Sequence, residues 1–568
     1  MAKKIVIIGA VALGPKVACR LKRLDANAEI TLLDRDNLIS YGGCGIPYYV
    51  GGDISDLEDL YSTSAHIIRD RHFFENCKGI NVRTEVEAVA INRDNSTVTI
   101  RNLRNGRREH LAYDKLVLAT GATPVRPPFP GSTLKNVFIL ANLHEAERLK
   151  TLMSQGKVGT AVVIGGGAIG VEICEAMTDL WSIATHLVEM EDQVLPTLLG
   201  KCIARIVKAH LEEKGVKVLV EDRVDRISVD NETGMYQVKT TKTTITTDIV
   251  VLATGVCPNT KLALEAGLAL GNSGGILVDR RMRTSDPNIY AGGDCVELRN
   301  LVSGENVLMA LGSLANRQGR VIATNIHGGN SHFDGTVGTF CMKVFDLGVA
   351  KAGLTFRQAK ETGFDPVYAA ISQADHAHFY PHSELLYITL IADRKSRKIL
   401  GIEAAGKHGD AVKARVDTVA VLLKHGVSVD DICNMEAGYA PPYASAMDAI
   451  NNAGNTLDNI LAGLNSPVDV HDFITLFHRD TTKVLDTRGV REAAPFTQKY
   501  GSRWMNIPQE QLRQRIEEVP KNEMLYLICD TGPRSYEAQV LLAAAGIKKT
   551  RNIQGGVAMI KMTDPYFI

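Results

Sequence analysis

Short continuous apolar runs, each closed by a glycine-bearing turn, recur along the chain. Ile5–Ile8 is the first, and an unbroken run of that length is the mark of a parallel strand buried on both faces. Gly9-Ala10-Val11-Ala12-Leu13-Gly14 follows as a tight turn, and Pro15 fits the first position of a helix, where its missing N–H costs nothing. A second strand, 29–33, ends at Asp34, 20 positions past Gly14, which suits a carboxylate accepting hydrogen bonds from a ribose hydroxyl. The pattern repeats with strand 161–164, the turn Gly165-Gly166-Gly167-Ala168-Ile169-Gly170, and His186-Leu187-Val188 leading to Glu189, 19 positions past Gly170. One such fingerprint is weak evidence; two in the same register predict two dinucleotide sites. Such turns aim backbone N–H groups and a helix N-terminus at a pyrophosphate. A carboxylate at Glu189 would repel a 2′-phosphate, which favours NADH over NADPH.

Two later runs end alike, Leu116-Val117-Leu118-Ala119-Thr120-Gly121 and Val250-Val251-Leu252-Ala253-Thr254-Gly255. Each lies about the same distance after its own nucleotide turn, so the second unit reads as inserted into the first. Ile289-Tyr290-Ala291-Gly292-Gly293-Asp294 then returns to the first nucleotide, with Asp294 bonding a ribityl or ribose hydroxyl, capping a helix, or both. Residues 331–450 alternate strand-like (385–391) and helical (412–424) stretches, and 451–470 reads as a linker. The final stretch, 471–568, repeats the apolar-run-and-turn pattern and is expected to be a separate small α/β domain.

At 568 residues the chain needs several cores, and its 45% hydrophobic and 23% charged residues are those of an ordinary globular protein. Lys plus Arg equals Asp plus Glu (64 each), which argues against nucleic acid or an anionic membrane as partner. No run approaches a membrane span. The N-terminus enters a strand at once, leaving no room for a secretory signal, so a cytoplasmic location is expected. Ten scattered cysteines without a Cys-x-x-Cys pair predict neither a disulfide framework nor a metal centre. Cys19, Cys174 and Cys202 fall in helix-like stretches and are read as inert.

Cys44 is different. It lies in Ser40-Tyr41-Gly42-Gly43-Cys44-Gly45-Ile46-Pro47, 30 positions after Gly14, where flanking glycines allow close approach of another surface. The alternative is a buried filler thiol. Cys529 sits in a second glycine-bearing loop directly after an apolar strand.

These motifs together resemble the flavin-dependent pyridine nucleotide–disulfide oxidoreductases, and within them the single-cysteine coenzyme A-disulfide reductase group. The resemblance covers residues 1–450 and rests on both nucleotide turns, Ser40-x-x-x-Cys44-Gly45-x-Pro47-Tyr48, Tyr290–Asp294, Asn316-Arg317-Gln318-Gly319 and Tyr439-Ala440-Pro441-Pro442-Tyr443. It implies an FAD-binding domain of 1–150 and 256–330, an NAD-binding domain of 151–255 and a homodimerisation domain of 331–450. The fold class is thus α/β: two interleaved Rossmann-like domains, an α+β dimerisation domain and a C-terminal domain. FAD would meet Gly9, Val11, Gly14, Asp34, Ser40, Thr120, Gly121, Gly293 and Asp294. NADH (or NADPH) would meet Gly165, Gly167, Gly170, Glu189 and Gly255. Arg23 matches a coenzyme A phosphate contact or a solvated helix face. Tyr439 of a partner subunit is implied as a proton donor or hydrogen-bond partner near Cys44, or else packs in a proline-rich turn. The resemblance also implies a Cys44 thiolate stabilised by the flavin and by nearby N–H dipoles.

Residues 471–568 resemble a rhodanese domain, because Cys529-Asp530-Thr531-Gly532-Pro533-Arg534 has the form Cys-x-x-Gly-x-Arg and Asp486/Arg488 match its early Asp-x-Arg. A loop of that form surrounds the sulfur with N–H groups, and Arg534 is expected to add positive charge. With no cysteine four or five positions from Cys44, its oxidised form must be a mixed disulfide, a persulfide or a sulfenic acid. The expected activity is NADH-dependent reduction of persulfides, polysulfides or coenzyme A disulfide at Cys44, with Cys529 carrying sulfane sulfur. The alternatives are an NADH oxidase cycling a Cys44 sulfenic acid, and a sulfur carrier or redox sensor with a structural flavin. Three positions depart from the family: Leu13 replaces a glycine, Phe379 a tyrosine and Gly43 an asparagine.

Overall fold

The computed structural model describes residues 2–479 and 482–567, and the chain divides into two compact units, Met1–Met190 with Asp222–Thr336, and Glu191–Glu221 with Val337–Ile568. In the first unit the expected duplication is visible strand by strand. Lys4–Ile8 lies between Glu29–Leu33 and Lys115–Leu118, all parallel, and Thr160–Ile164 lies in the same way between Ala184–Val188 and Ile249–Leu252. Asn81–Arg83 and Ile289–Ala291 complete the first sheet. Each half also carries a three-stranded antiparallel meander, Val86–Asn92 to Arg108–Ala112 and Val224–Val229 to Thr244–Thr247. The chain crosses between halves twice, along Ala122–Pro124 and Val256–Pro258, which pair antiparallel immediately after Gly121 and Gly255.

The apolar runs are buried as the pattern requires, Ile5, Ile7, Leu32, Val117 and Ile289 forming one continuous core. Leu13, not Pro15, starts the first helix (Leu13–Leu24). Pro15 is third in that helix, still within the first turn whose N–H groups lack intrahelical partners. Leu13 is itself buried, and its methyl group occupies the space beside Gly292, so the missing glycine is a packing exchange.

The second unit holds two sheets. Phe340–Val344, Leu347–Gly353, Ile399–Gly406, Leu385–Asp393 and Pro366–Ala374 pair antiparallel in that order, with helix Gly409–Leu423 among the elements on them. Within this sheet Lys351 pairs with Glu403 across neighbouring strands; both side chains are buried, and Glu403 also accepts the N–H of Gly200 at 2.8 Å. The C-terminal sheet is wholly parallel, in the order Pro467–Val468, Thr550–Ile553, Leu525–Ile528, Lys483–Asp486, Trp504–Asn506. Its core includes Leu485, Leu527 and Leu542.

The expected linker is largely absent. Residues 451–461 belong to helix Ala449–Leu461, whose Asn451, Ala453 and Leu457 are buried against neighbouring elements. Its asparagines and Gly454 masked the helical period: Asn451 spends its amide on the carbonyls of Ile432 and Met435, a tertiary task that no local pattern announces. Beyond it the C-terminal sheet is docked on the antiparallel one, Gln554 accepting the N–H of Ala370 and Ser372 donating to the carbonyl of Gly555. No helix among the described residues is long and apolar enough to cross a membrane.

Candidate active site

Each nucleotide turn in the first unit closes the same way. A methyl added at Gly14 would collide with the carbonyl of Gly9, and one at Gly170 with that of Gly165, so in both turns helix and strand touch through bare backbone. Asp34 accepts the N–H of Ala10 at 2.6 Å and that of Asp36 at 2.9 Å, while Glu189 accepts the N–H of Gly166 at 2.6 Å. Both acids therefore brace their turns at the edge where a ribose would lie. Burial pushes the Asp34 carboxyl up, against the pull of those N–H groups. A cavity of about 820 Å³ lies beside Gly9, Asp34, Arg35, Glu87, Thr120 and Asn259, wide enough for the adenosine end of a dinucleotide. The residues present fit FAD there.

The remaining expected contacts fall around this framework. Ser40, in a left-handed conformation, donates its N–H to the carbonyl of Ala10 (2.7 Å), tying the cysteine segment directly to the first turn, beside Val11. Thr120 donates its hydroxyl to the carbonyl of Asn259 (2.7 Å), and Asn259 returns its amide to the carbonyl of Thr120 (2.8 Å), so Thr120 and Gly121 fasten one crossing strand to the other. Gly255 does the same from its side, its carbonyl accepting the N–H of Val125. Gly293 donates to the side chain of Gln318 at 2.7 Å. Asp294 lies in a turn and caps no helix; the following long helix, Gly312–Ile326, starts after Leu311, which settles the two readings of Asp294 against the capping role. Gly167 is the N-cap of helix Ala168–Thr178. Arg23 is exposed in the last turn of the first helix, where its charge acts on Cys19 together with Lys78 and Lys16; nothing places it at Cys44.

Cys44 sits in a single turn of 3₁₀ helix, Gly43–Gly45, anchored by the N–H of Gly42 on the carbonyl of Leu60. The residue is exposed, which removes the filler reading. Its sulfur faces the first turn of helix Gly312–Ile326: a methyl on Gly312 would lie 3.7 Å from Sγ. That helix end favours a thiolate. Two acids and partial burial work the other way, and the net direction for the protein alone is upward, from burial first and then from Glu172 and Asp294. The expected thiolate stabilisation is therefore not supplied by these side chains.

Glu172 is the residue the sequence reading missed. It stands on helix Ala168–Thr178, one turn before Glu175, and burial together with Glu175 raises its carboxyl to about 7. Two acids three apart in an otherwise apolar helix were the available signal. Glu172 borders a small acidic recess with Pro47, Tyr48, Asp53, Glu175 and Asp179.

In the second unit Tyr439 lies in an extended loop and is 50% exposed; Phe379, Tyr380 and Tyr443 are exposed as well. Behind them Asp375 accepts from His408 Nδ1 (2.5 Å) and pairs with His376 Nδ1 (2.8 Å), while His376 Nε2 meets the carbonyl of Pro381 (3.2 Å). That carbonyl only accepts, so Nε2 donates to it, and the ring pins the turn bearing Tyr380. These three side chains are of metal-ligating type, with ligand atoms within 4.8 Å of one another. A spacing search could not find them, because His408 arrives from a different strand.

Cys529 ends strand Leu525–Ile528 and is 1% exposed. Its sulfur accepts the N–H of Gly532 at 3.1 Å and faces the Ser535 hydroxyl at 3.4 Å, at the start of helix Pro533–Ala544. Its carbonyl and that of Asp530 accept the N–H groups of Val557 and Ala558, locking the loop onto helix Gly556–Thr563. Arg488 grips Asp486 through Nε and Nη2, and Trp504 donates to the same carboxylate. Arg534 does not supply free positive charge as expected: it is paired with Asp530.

The chain matches the family described as Pyridine nucleotide-disulphide oxidoreductase over residues 3–319, and the dimerisation domain of that family over 339–450. It is 31% identical over 457 residues to an NAD(P)H coenzyme A polysulfide/persulfide reductase from Pyrococcus horikoshii, covering 79% of this chain and 97% of that protein. A solved NAD-dependent persulfide reductase from A. fulgidus superposes with TM-score 0.92 at 36% identity, covering 98% of this chain and 99% of that one. Reduced Bacillus anthracis CoADR-RHD superposes with TM-score 0.90 at 36% identity over 100% of this chain and 99% of that one. With the duplicated nucleotide turns and the cysteine loop in place, the chain belongs to the pyridine nucleotide–disulphide oxidoreductases, enzymes that work with FAD and a reduced pyridine nucleotide.

Proposed function

We propose that the protein is an NADH-dependent reductase of persulfides and polysulfides, with coenzyme A as the thiol that presents the sulfur, Cys44 as the single redox sulfur and Cys529 as a carrier of sulfane sulfur. The observation that carries the reading is the pair of cysteines itself. Cys44 is exposed and has no disulfide, and the buried Cys529 sulfur accepts the Gly532 N–H just before a helix start. Names of similar proteins, a coenzyme A polysulfide/persulfide reductase and a persulfide reductase, point the same way.

Bound FAD and NADH supply the two-electron reduction. The residues of the chain do the rest. The Cys44 thiolate attacks the carrier-side sulfur of a coenzyme A persulfide; a Cys44–S bond forms, the persulfide S–S bond breaks and hydrosulfide leaves. Two electrons then cleave the mixed disulfide to two thiolates, so that overall NADH, a proton and a persulfide give NAD⁺, a thiol and hydrogen sulfide. Glu172 and Asp294 oppose ionisation of Cys44, and so limit its thiolate population. Tyr439 of the partner subunit in a homodimer is assigned as proton donor to the leaving thiolate; its exposure in the isolated chain leaves it available to do so. The Glu189 carboxylate selects NADH.

Rapid mixing of anaerobically NADH-reduced holoenzyme with polysulfide, coenzyme A persulfide or oxygen tests the assignment. Reoxidation by the sulfur species well above the buffer rate is expected. Reoxidation by oxygen alone identifies an oxidase, and no steady NADH turnover with any persulfide identifies a carrier or sensor.

A further inference from the structure

The charges around Cys529 cancel within the loop. Asp486 is fully buried, and its carboxylate is taken up by Arg488 Nε and Nη2 and by Trp504 Nε1. The remaining nitrogen of Arg488, Nη1, faces Asp530 Oδ1 at 3.7 Å. Arg534, the cation expected to serve the sulfur, gives its Nη2 to the other oxygen of Asp530. Two arginines and two aspartates sum to zero. One turn further along the helix stands another acid, Glu537, hydrogen-bonded by Gln509. What the sulfur does receive is neutral, the Gly532 N–H; the Ser535 hydroxyl stands 3.4 Å away, but its one hydrogen is directed to Asn552 Oδ1 at 2.7 Å.

We infer that Asp530 is a selectivity residue of the Cys529 site, which by holding Arg534 turns the loop away from small dianionic sulfur donors of the thiosulfate type and leaves it to persulfides. The inference rests on the reading of Cys529 as a sulfane-sulfur carrier. With thiosulfate, the Cys529 thiolate attacks the outer sulfur, a Cys529–S bond forms, the S–S bond breaks and sulfite leaves with both electrons of that bond. With an organic persulfide the thiolate takes the terminal sulfur, and the organic thiolate leaves. Neither transfer needs an oxidant. They differ in charge: thiosulfate brings two negative charges, both within the loop, whereas a persulfide brings at most one and keeps its organic part outside. A site built for the dianion needs cations free to meet it. Here Asp530 already holds that place on Arg534.

Asp530 can be changed without disturbing the loop backbone, because the bond to the Ala558 N–H uses its carbonyl. The full-length holoenzyme, Asp530→Asn, Asp530→Asn/Arg534→Gln and Cys529→Ala are compared for sulfur transfer to cyanide from thiosulfate and from glutathione persulfide, with the mass of the Cys529 peptide as a second readout. Removing one charge beside a dianion is expected to raise kcat/KM for thiosulfate about tenfold in Asp530→Asn, mainly through KM, and the Arg534→Gln addition to cancel the gain. The rate with glutathione persulfide should change by less than about threefold, since it meets the same charge with at most one of its own. If Asp530→Asn changes both donors equally, or leaves thiosulfate unimproved while Cys529 still gains one sulfur from persulfide, the selectivity role is wrong and the carrier reading stands. If Cys529 gains sulfur from neither donor in the unchanged protein, the carrier reading fails and takes the selectivity with it.

Discussion

Replacing Glu172 with glutamine should make Cys44 more reactive, and only above the pH at which Glu172 ionises. The carboxyl is carried from its ordinary 4.5 to about 7, so its ionised form costs about 3 kcal/mol at this position, as an upper limit. Burial supplies most of that cost and Glu175 the remainder. The same charge holds the Cys44 thiol up, second only to burial. A like charge in a partly solvated site contributes on the order of 0.5–1 kcal/mol, so Glu172→Gln should speed alkylation of Cys44 about two- to fivefold at pH 8. Below about pH 6 Glu172 is protonated in the unchanged protein, and the two rates should converge there. Reduced holoenzyme would be alkylated under anaerobic conditions from pH 5.5 to 9 and the Cys44 peptide followed by mass spectrometry, since Cys77, Cys257 and Cys341 are also exposed. A rate ratio that is constant across pH, or that falls below one at high pH, would refute the electrostatic link. The stability sign follows from the same shift. A carboxyl raised in the folded state contributes least above pH 7, so the variant should gain stability over the unchanged protein as pH rises from 4.5 to 7.

Further outcomes follow from other parts of the chain. Gly14→Ala should lose flavin absorbance on purification, because the added methyl meets the Gly9 carbonyl; an unchanged flavin content would count against the first turn as the FAD site. Glu403→Leu should destabilise the second unit by about 1–3 kcal/mol, by leaving the Gly200 N–H without its acceptor and the buried Lys351 without the charge that favours its ammonium, and Lys351→Met/Glu403→Leu should recover part of it, as read by denaturant unfolding. Cys44→Ser should abolish persulfide-dependent NADH oxidation, whereas Cys529→Ala should impair only substrates that need sulfur delivery; equal loss from both would indicate one obligatory relay. Tyr439→Phe should lower kcat with persulfide while leaving the rate of NADH reduction of the enzyme unchanged.

The local code was enough for the nucleotide halves. An unbroken apolar strand, a turn with glycine where helix meets strand, and an acid about twenty residues on specify one compact unit of contiguous chain, so each could be found in the sequence without knowing its neighbours. The Cys529 loop was legible for the same reason, being a strand, a turn and a helix start in one short stretch. Long-range relations were not. Helix Ala449–Leu461 hid behind asparagines such as Asn451, whose partners are 16 to 19 residues away, and Glu172 acquired its chemistry only when burial and Glu175 raised its carboxyl beside the cysteine loop. The pairing of Arg534 with Asp530 cancelled the positive charge expected of the Cys529 loop, though both residues stood in plain view in the motif. Sequence by itself determined which backbone segments form the strand–turn–helix units that carry the nucleotide fingerprints and Cys529, because those units are made by neighbours in the chain. Only the tertiary structure decided the electrostatics of the two cysteines, because the field at a sulfur depends on which charged side chains from elsewhere face it and on how much water they displace.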